Sequence, residues 1–526
     1  MRLEKVSSKH DKKTNKVIIP LSKSLDSNIE EFEQLFQDCG DVVKRKFPIG
    51  KDKDIWAYIA YIDVMIDRRV IEESILEQLI IQVRDVPKAF TEKDEDSFTF
   101  IKEGGLATAD LKEVTHMDDA ALAVLSGDTI IFIEGYDKAL VVATKGFPNR
   151  GVQPPDTESV IRGSKEGFSE AFRINTVLIR RRIRDTKLKV KQIQIGTRSR
   201  TDVGLMYLDD IVRPQILTEI EERLGYFNID SVLESGTLEQ LIETEWYSPF
   251  PQTQVTQRPD KAASAILEGR VVIIVDNTPF ALILPTTINC FFQSAEDYYQ
   301  RWYIMSFIRV LRYCAAFLSF SLPGFYIALT TFHPSMIPTQ LAFSIAAARE
   351  GVPFPALIEV LIMEIAFELL REAGVRLPAP IGNTIGIVGG LIVGQAVVQA
   401  NLVSPIIVII VALTAISSFA IPSYSLTSAF RIIKYFMIFL SAMLGFFGFW
   451  LGILIILTHL VSLKSINIPY LSPYIAGDMN EYNDLKDSLI RMPTFMNKMR
   501  PIFASRDDKV RLDIDEKGEK NVFTKQ

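Results

Sequence analysis

Residues 125–144 read LSGDTIIFIEGYDKALVVAT, and residues 267–286 read LEGRVVIIVDNTPFALILPT. Aligned without a gap, Leu125 falls on Leu267, Gly127 on Gly269, Ile131 on Ile273, and Ala139-Leu140 on Ala281-Leu282. Each copy carries a glycine, an apolar run, a polar turn at 134–138 or 276–279, and a second apolar run. That is the pattern of a β-hairpin. A second correspondence lies upstream at nearly the same offset. Tyr61-Ile62-Asp63 precedes a helical pattern at 68–82, and Tyr207-Leu208-Asp209 precedes another at 213–224. Apolar alternation over Trp56–Ile62 reads as a strand. Val70, Ile71, Ile75, Leu76 and Leu79 share one side of the first helix, and Pro214 suits the first turn of the second. Two collinear matches predict two related α/β subdomains, spanning 26–147 and 158–298.

Outward from this repeat the texture changes. The chain has 526 residues, 48% of them apolar and 23% charged, a net charge of −6 and a mean hydropathy of +0.17. The apolar residues are concentrated: 313–348, 377–430 and 435–463 contain no Asp, Glu, Lys or Arg. A membrane-crossing helix needs roughly 20 apolar residues, so a wholly soluble protein is excluded. The negative charge argues against a nucleic-acid binder. The predicted fold is α+β: a soluble N-terminal region of two related α/β subdomains, then an α-helical polytopic membrane domain.

The divisions are a polar tail (1–25), a first subdomain with its linker (26–157), a second subdomain (158–300), a helical membrane domain with four to six membrane segments (301–465) and a charged tail (466–526). Spans are expected near 308–331, 382–400, 404–421 and 435–463. In the last, Gly445, Gly448 and Gly452 allow close helix packing. Arg309 and Arg312 at the first span's start point to a cytoplasmic N-terminal region by the positive-inside rule. The polar N-terminal sequence, which lacks a signal peptide's apolar core, agrees.

Three features stand out as candidate functional residues. A basic run includes Arg180, Arg181, Arg182 and Arg184. It reads either as a solvated helix end or as an interface with anionic lipid or an acidic partner. Gly386, Gly390 and Gly394 recur every four residues, a helix face suited to packing. The segment 355–372, PALIEVLIMEIAFELLRE, carries charges in an apolar helix. Glu364, Glu368, Arg371 and Glu372 form a stripe about 100° wide. Glu359 lies outside it. One reading is an internal salt-bridge set stitching the helix to a neighbour. The other is a water-filled axis in an oligomer, where a carboxylate ring favours cations and Leu361 and Ile365 form a constriction.

Enzyme chemistry finds no support. The three cysteines (Cys39, Cys290 and Cys314) have no zinc spacing, and the four histidines form no metal motif. No phosphate loop or nucleophile elbow occurs, and no cofactor is expected.

Several longer stretches carry a family resemblance. They are RGVQPPDTESVIRGSKEGF (150–168), INTVLIRRRIRDTKLKVKQIQIGTRSRTDVGLMYLD (174–209), HPSMIPTQLAFSIAAAREGVPFP (333–355), EIAFELLREAGVRLPAPIG (364–382), ALTAISSFAIPSY (412–424) and LTHLVSLKSINIPYLSPY (457–474). With them the sequence resembles the A subunit of GerA-type spore germination receptors, from about residue 26 to 510. The resemblance implies a spore inner-membrane protein that works with a transporter-like B subunit and a lipoprotein C subunit. It further implies oligomerisation into an ion-conducting channel. A paralogue encoded with the stage V sporulation A proteins shares the motifs. A non-conducting scaffold and a secondary transporter are the other function classes.

Overall fold

The computed structural model describes residues 19–49, 55–81, 98–99, 102, 106, 110–147, 155, 158, 160–377, 389–390, 392–475, 484–505 and 509–512. The chain divides into two compact units. The first comprises Met1–Ile242, Val255–Pro285 and Arg500–Arg511; the second comprises Glu243–Gln254, Thr286–Met499 and Leu512–Gln526.

The first unit contains two five-stranded sheets. In one, β1 (Val42–Ile49), β2 (Ile55–Ile62), β4 (Thr129–Ile133), β5 (Ala139–Val142) and β3 (Leu111–Val114) lie in the order β1-β2-β4-β5-β3. In the other, β6 (Leu188–Ile195), β7 (Thr201–Leu208), β9 (Val271–Val275), β10 (Ala281–Leu284) and β8 (Gln254–Thr256) lie in the order β6-β7-β9-β10-β8. The topologies are the same. So is the hairpin register: Ile131 faces Leu140 across one ladder, and Ile273 faces Leu282 across the other. The repeated residues are therefore cross-strand partners, and all four are fully buried.

The glycines that open each hairpin have a physical role. Helix α3 (Met117–Leu125) ends at Gly127 with φ +90°, and α7 (Pro259–Leu267) ends at Gly269 with φ +89°. In each, the glycine N–H and the next N–H bond back to the last turn: Gly127 to Val124, Asp128 to Ala123, Gly269 to Ile266, Arg270 to Ala265. This is a Schellman cap, whose left-handed residue favours glycine.

Alternation along the strands puts side chains on two faces. Tyr58, Ala60, Ile130, Phe132 and Val141 pack with Leu25 and Phe32 of α1 (Leu25–Leu35) and with α3. Ala57, Ile59, Ile131 and Leu140 pack with Ile71, Ile75 and Leu79 on the opposite side. That opposite helix, α2, is π-helical over Val70–Leu76 and α-helical over Glu77–Ile80. In the second half, α4 (Phe172–Arg180) and α7 cover the equivalent inner face. Helices α5 (Pro214–Gly225) and α6 (Ser235–Ile242) follow, with Pro214 in the first turn as expected.

A returning segment completes the second half. Ala504 is fully buried in its core, and Ser505 N–H donates to the Ile211 carbonyl at 2.7 Å. A methyl group on Gly269 would come within 2.7 Å of the Ala504 Cα.

The second unit is helical. It opens with the short α8 (Ile288–Phe292) and continues through α9 (Trp302–Ile327, extended in π-helical form to Phe332), α10 (Thr339–Ala348), α11 (Ala356–Arg376), a helical stretch at 392–399, α12 (Pro405–Phe419) and α13 (Tyr424–Ser462). Pro405 and Ser404 start α12 as N1 and cap. Two of these helices, Trp302–Phe332 and Tyr424–Ser462, are long and apolar enough to cross a membrane.

Helix α13 is not straight. The Phe250 ring lies 6.2 Å from Phe430 and 6.0 Å from His459. Those two residues would sit about 44 Å apart along a straight helix. Gly445, at φ +61° and ψ −138°, interrupts the helical backbone. Met437 meets Gly452, and Leu440 meets Gly448. All three contacts centre on the same point, so α13 is a hairpin of two antiparallel arms, 424–444 and 446–462. The single span expected at 435–463 is corrected accordingly: its glycines form the turn and the seam between the arms.

Neighbouring contacts fix the direction of the other helices. Phe320 stacks on Phe430 at 5.2 Å, and Phe332 reaches Gly445, so α9 runs parallel to the first arm. Glu364 meets Lys434 and Glu368 meets Arg431, so α11 runs antiparallel to it.

Candidate functional site

Helix α11 turns its charges towards the first arm of α13. Lys434 Nζ donates to Glu364, with side-chain exposures of 5% and 1%. One turn along, Arg431 donates to Glu368 at 2.6 Å. The Arg371 guanidinium lies 3.6 Å from the same carboxylate and packs over the rings of Phe367 and Phe419. Lys434 sits midway along its arm, so the Glu364–Lys434 pair lies at mid-height in a largely apolar bundle. Glu359 is fully buried and makes a separate pair, with Arg349 at 3.1 Å, and accepts from Ser404 N–H at 2.9 Å.

The expected pore-lining set therefore divides. Glu364, Glu368 and Arg371 face the chain's own helices and form the salt-bridge set. Ile365 is 53% exposed on a different face, with Ile358 and Leu369, and Leu361 lies partly covered beside them.

Other charges gather where α9 begins. Arg309 is fully buried and pairs with Asp297 at 3.3 Å and Asp487 at 2.8 Å. Arg312 pairs with Asp297 at 2.9 Å. Tyr313 and Tyr474 both donate to Asn289 Oδ1, at 2.7 and 3.2 Å. Near the end of α13, His459 hydrogen-bonds Ser248 at 2.8 Å. The segments flanking the first and last helices are thus held together at one end of the bundle.

The basic run sits in the first unit, and most of it is occupied internally. Arg180 is fully buried: Nε donates to Asp41 Oδ2 at 2.5 Å and Nη2 to Oδ1 at 2.9 Å. Burial works against its charge, but Asp41 outweighs burial and pushes the guanidinium pKa up. Arg180 thus ties the second half to the first and is not available to a lipid or a partner. Arg181 and Arg182 pair with Glu166 at 3.3 and 2.6 Å. Arg184 is exposed.

Of the glycine stripe, Gly386 lies outside the described residues. A methyl group on Gly390 would meet nothing within 4 Å, and one on Gly394 would meet only Val408 at 3.9 Å. The close helix approach occurs elsewhere, at Gly324, where a methyl group would come within 3.0 Å of the Met437 carbonyl oxygen.

Sequence reasoning missed Arg431, Lys434, Asp41 and Asp297. A signal for the first two was present. They are two cations three apart, alone between the uncharged stretches 377–430 and 435–463.

Residues 30–503 match the family model described as Bacillus/Clostridium GerA spore germination protein. Spore germination protein KA of Bacillus subtilis (strain 168) is 42% identical over 499 residues, covering 95% of this chain and 90% of that protein. Spore germination protein GerLA of Bacillus cereus is 43% identical over 403 residues, covering 77% and 81%. Among solved structures, the crystal structure of the N-terminal domain of the A subunit of the Bacillus megaterium spore germinant receptor GerK3 is 30% identical. It covers 51% of this chain and 97% of that one, with a TM-score of 0.41.

Proposed function

Because this chain belongs to the GerA family of spore germination proteins, we propose that it is the A subunit of a nutrient germinant receptor whose helical unit, as an oligomer, conducts ions across the spore inner membrane. The single observation carrying this reading is the paired charge set at mid-height in the bundle. Ionisable groups inside a membrane are costly and mark ion pathways or moving parts.

On this reading the bundle makes six passes: α9, α11, the segment around 392–399, α12 and the two arms of α13. Six is even. It leaves both soluble regions on one side, in keeping with the common anchoring of α9's start and α13's end. The positive-inside rule and Arg309 and Arg312 make that side the cytoplasm. Exposed Trp246, Trp302 and Tyr303 suit the interface belt at that end.

The partners are a transporter-like B subunit and a lipoprotein C subunit, and the role is associative and conductive rather than enzymatic. The exposed α11 face of Ile365 and Leu369, with the partly covered Leu361 beside them, is the surface for the oligomer axis. The carboxylates behind it act through their ion pairs.

Conductance of the purified chain in planar lipid bilayers tests the proposal. Cation currents are expected. Silence in every oligomeric state would leave a scaffold. Solute-dependent uptake would indicate a transporter. Loss of the gene affecting every nutrient response equally would place the chain beside the receptors, as for the stage V sporulation A paralogue.

A further inference from the structure

We propose that a pocket enclosed by α9, α11, α12 and the first arm of α13 binds one monovalent anion of halide size. The pocket is lined by Arg371, Arg431 and Lys434 together with the hydroxyl residues Thr414, Ser418 and Thr427. It has room for about one water-sized particle. Three observations converge on an anion.

The first is charge balance. Among the described residues, the network has three cations (Arg371, Arg431, Lys434) and two carboxylates (Glu364, Glu368). One positive charge is left over inside an apolar bundle, where an uncompensated charge is expensive. The second is the geometry of the carboxylates. Neither Glu364 nor Glu368 lines the pocket; its walls present three cations, apolar groups and hydroxyls that donate to the backbone carbonyls of Ile410, Ala415 and Ser423, so the cations are the groups that would hold an anion. The third is an unused donor. Arg371 Nε is buried and has no hydrogen-bond partner, and the donation from Arg371 Nη2 to Ser418 Oγ is long at 3.5 Å.

A halide accepts from several donors at once and needs no directional lone pair. The pocket is too small for a phosphate or an amino-acid carboxylate with its side chain. The bound ion would join α11, α12 and α13 through one shared charge. The site goes beyond the conduction proposal, and the test below measures binding without requiring current.

The full chain, purified in neutral-lipid nanodiscs, is unfolded thermally in sodium chloride, sodium bromide or sodium gluconate at equal ionic strength. Chloride and bromide are expected to raise Tm saturably, by about 2 °C or more, over gluconate. Arg371→Met, which removes the surplus charge, and Arg371→Lys, which keeps the charge and removes the unused Nε–H, are each expected to abolish or weaken that difference. The charge-conserving Arg371→Lys keeps the test open should Arg371→Met fail to fold. Equal melting in chloride and gluconate for the unaltered chain would overturn the proposal. So would a chloride shift of unchanged size in the variants that fold.

Discussion

Arg180 and Asp41 meet in a two-pronged ion pair from which solvent is excluded on both sides, 139 residues apart in the chain. One belongs to the second repeat and the other to the first. Removing one partner of a buried pair strands the other charge, at a cost of about 3–5 kcal/mol. Arg180→Gln and Asp41→Asn are each expected to lower the melting temperature of the α/β unit. The double variant is expected to lose less than the sum of the two. Calorimetry on the three variants checks this, and simple additivity would mean that the pair carries no coupling.

Glu364 and Lys434 are expected to behave as a unit in the membrane. Glu364→Gln and Lys434→Met each leave a lone charge in the bundle, and each should reduce accumulation of the receptor. Combining them restores the charge balance of the unaltered network and should recover much of the loss. Immunoblots of spore membranes measure it; a double variant worse than either single would argue against the pairing.

The two sets of glycines give opposite expectations. Gly445→Leu puts a side chain on a left-handed residue, and even its Cβ would come within 2.7 Å of the Phe332 ring. The hairpin should not form, and the chain should be degraded. Gly390→Leu enters open space and should leave the isolated chain's melting unchanged. A fall in oligomer content with monomer stability intact would place Gly390 at a subunit contact.

Glu158 supplies a pH signature. Burial pushes its carboxyl pKa up, but Lys261 at 2.5 Å, with hydrogen bonds from Thr256 and Gln257, holds it below the ordinary glutamate value. A depressed carboxylate stabilises above its unfolded pKa and loses that contribution as pH falls through its folded one. Glu158→Gln should therefore destabilise the chain by a constant amount above about pH 5, and the gap should close on further acidification. A gap that persists unchanged to low pH would rule the ionised form out.

The repeat was legible because hairpin residues interact locally, and the same register demands the same apolar and glycine positions. Gly127 and Gly269 carry a backbone requirement, so their match was informative. The basic run was harder to read. Arg180 looks like its neighbours in sequence, and only the distant Asp41 makes it a core residue. Within the bundle, the Gly445 turn is flanked by apolar residues, Met443-Leu444 and Phe446-Phe447, so the sequence reads straight through it as one helix. The stripe on α11 was visible by periodicity, but its partners lie more than sixty residues away. Periodicity gives a face and leaves open what that face meets.

The returning segment at Ala504 has a consequence for biosynthesis. The second α/β half closes its core only with residues made after every helix of the bundle. While those helices are still being made, the half beside Gly269 is missing a wall. An insertion error that left the tail on the wrong side would leave that wall missing for good. On the proposed topology the α/β half would be finished only once the helical unit had been threaded with the tail on the same side, and an unfinished half would expose apolar surface to proteolysis.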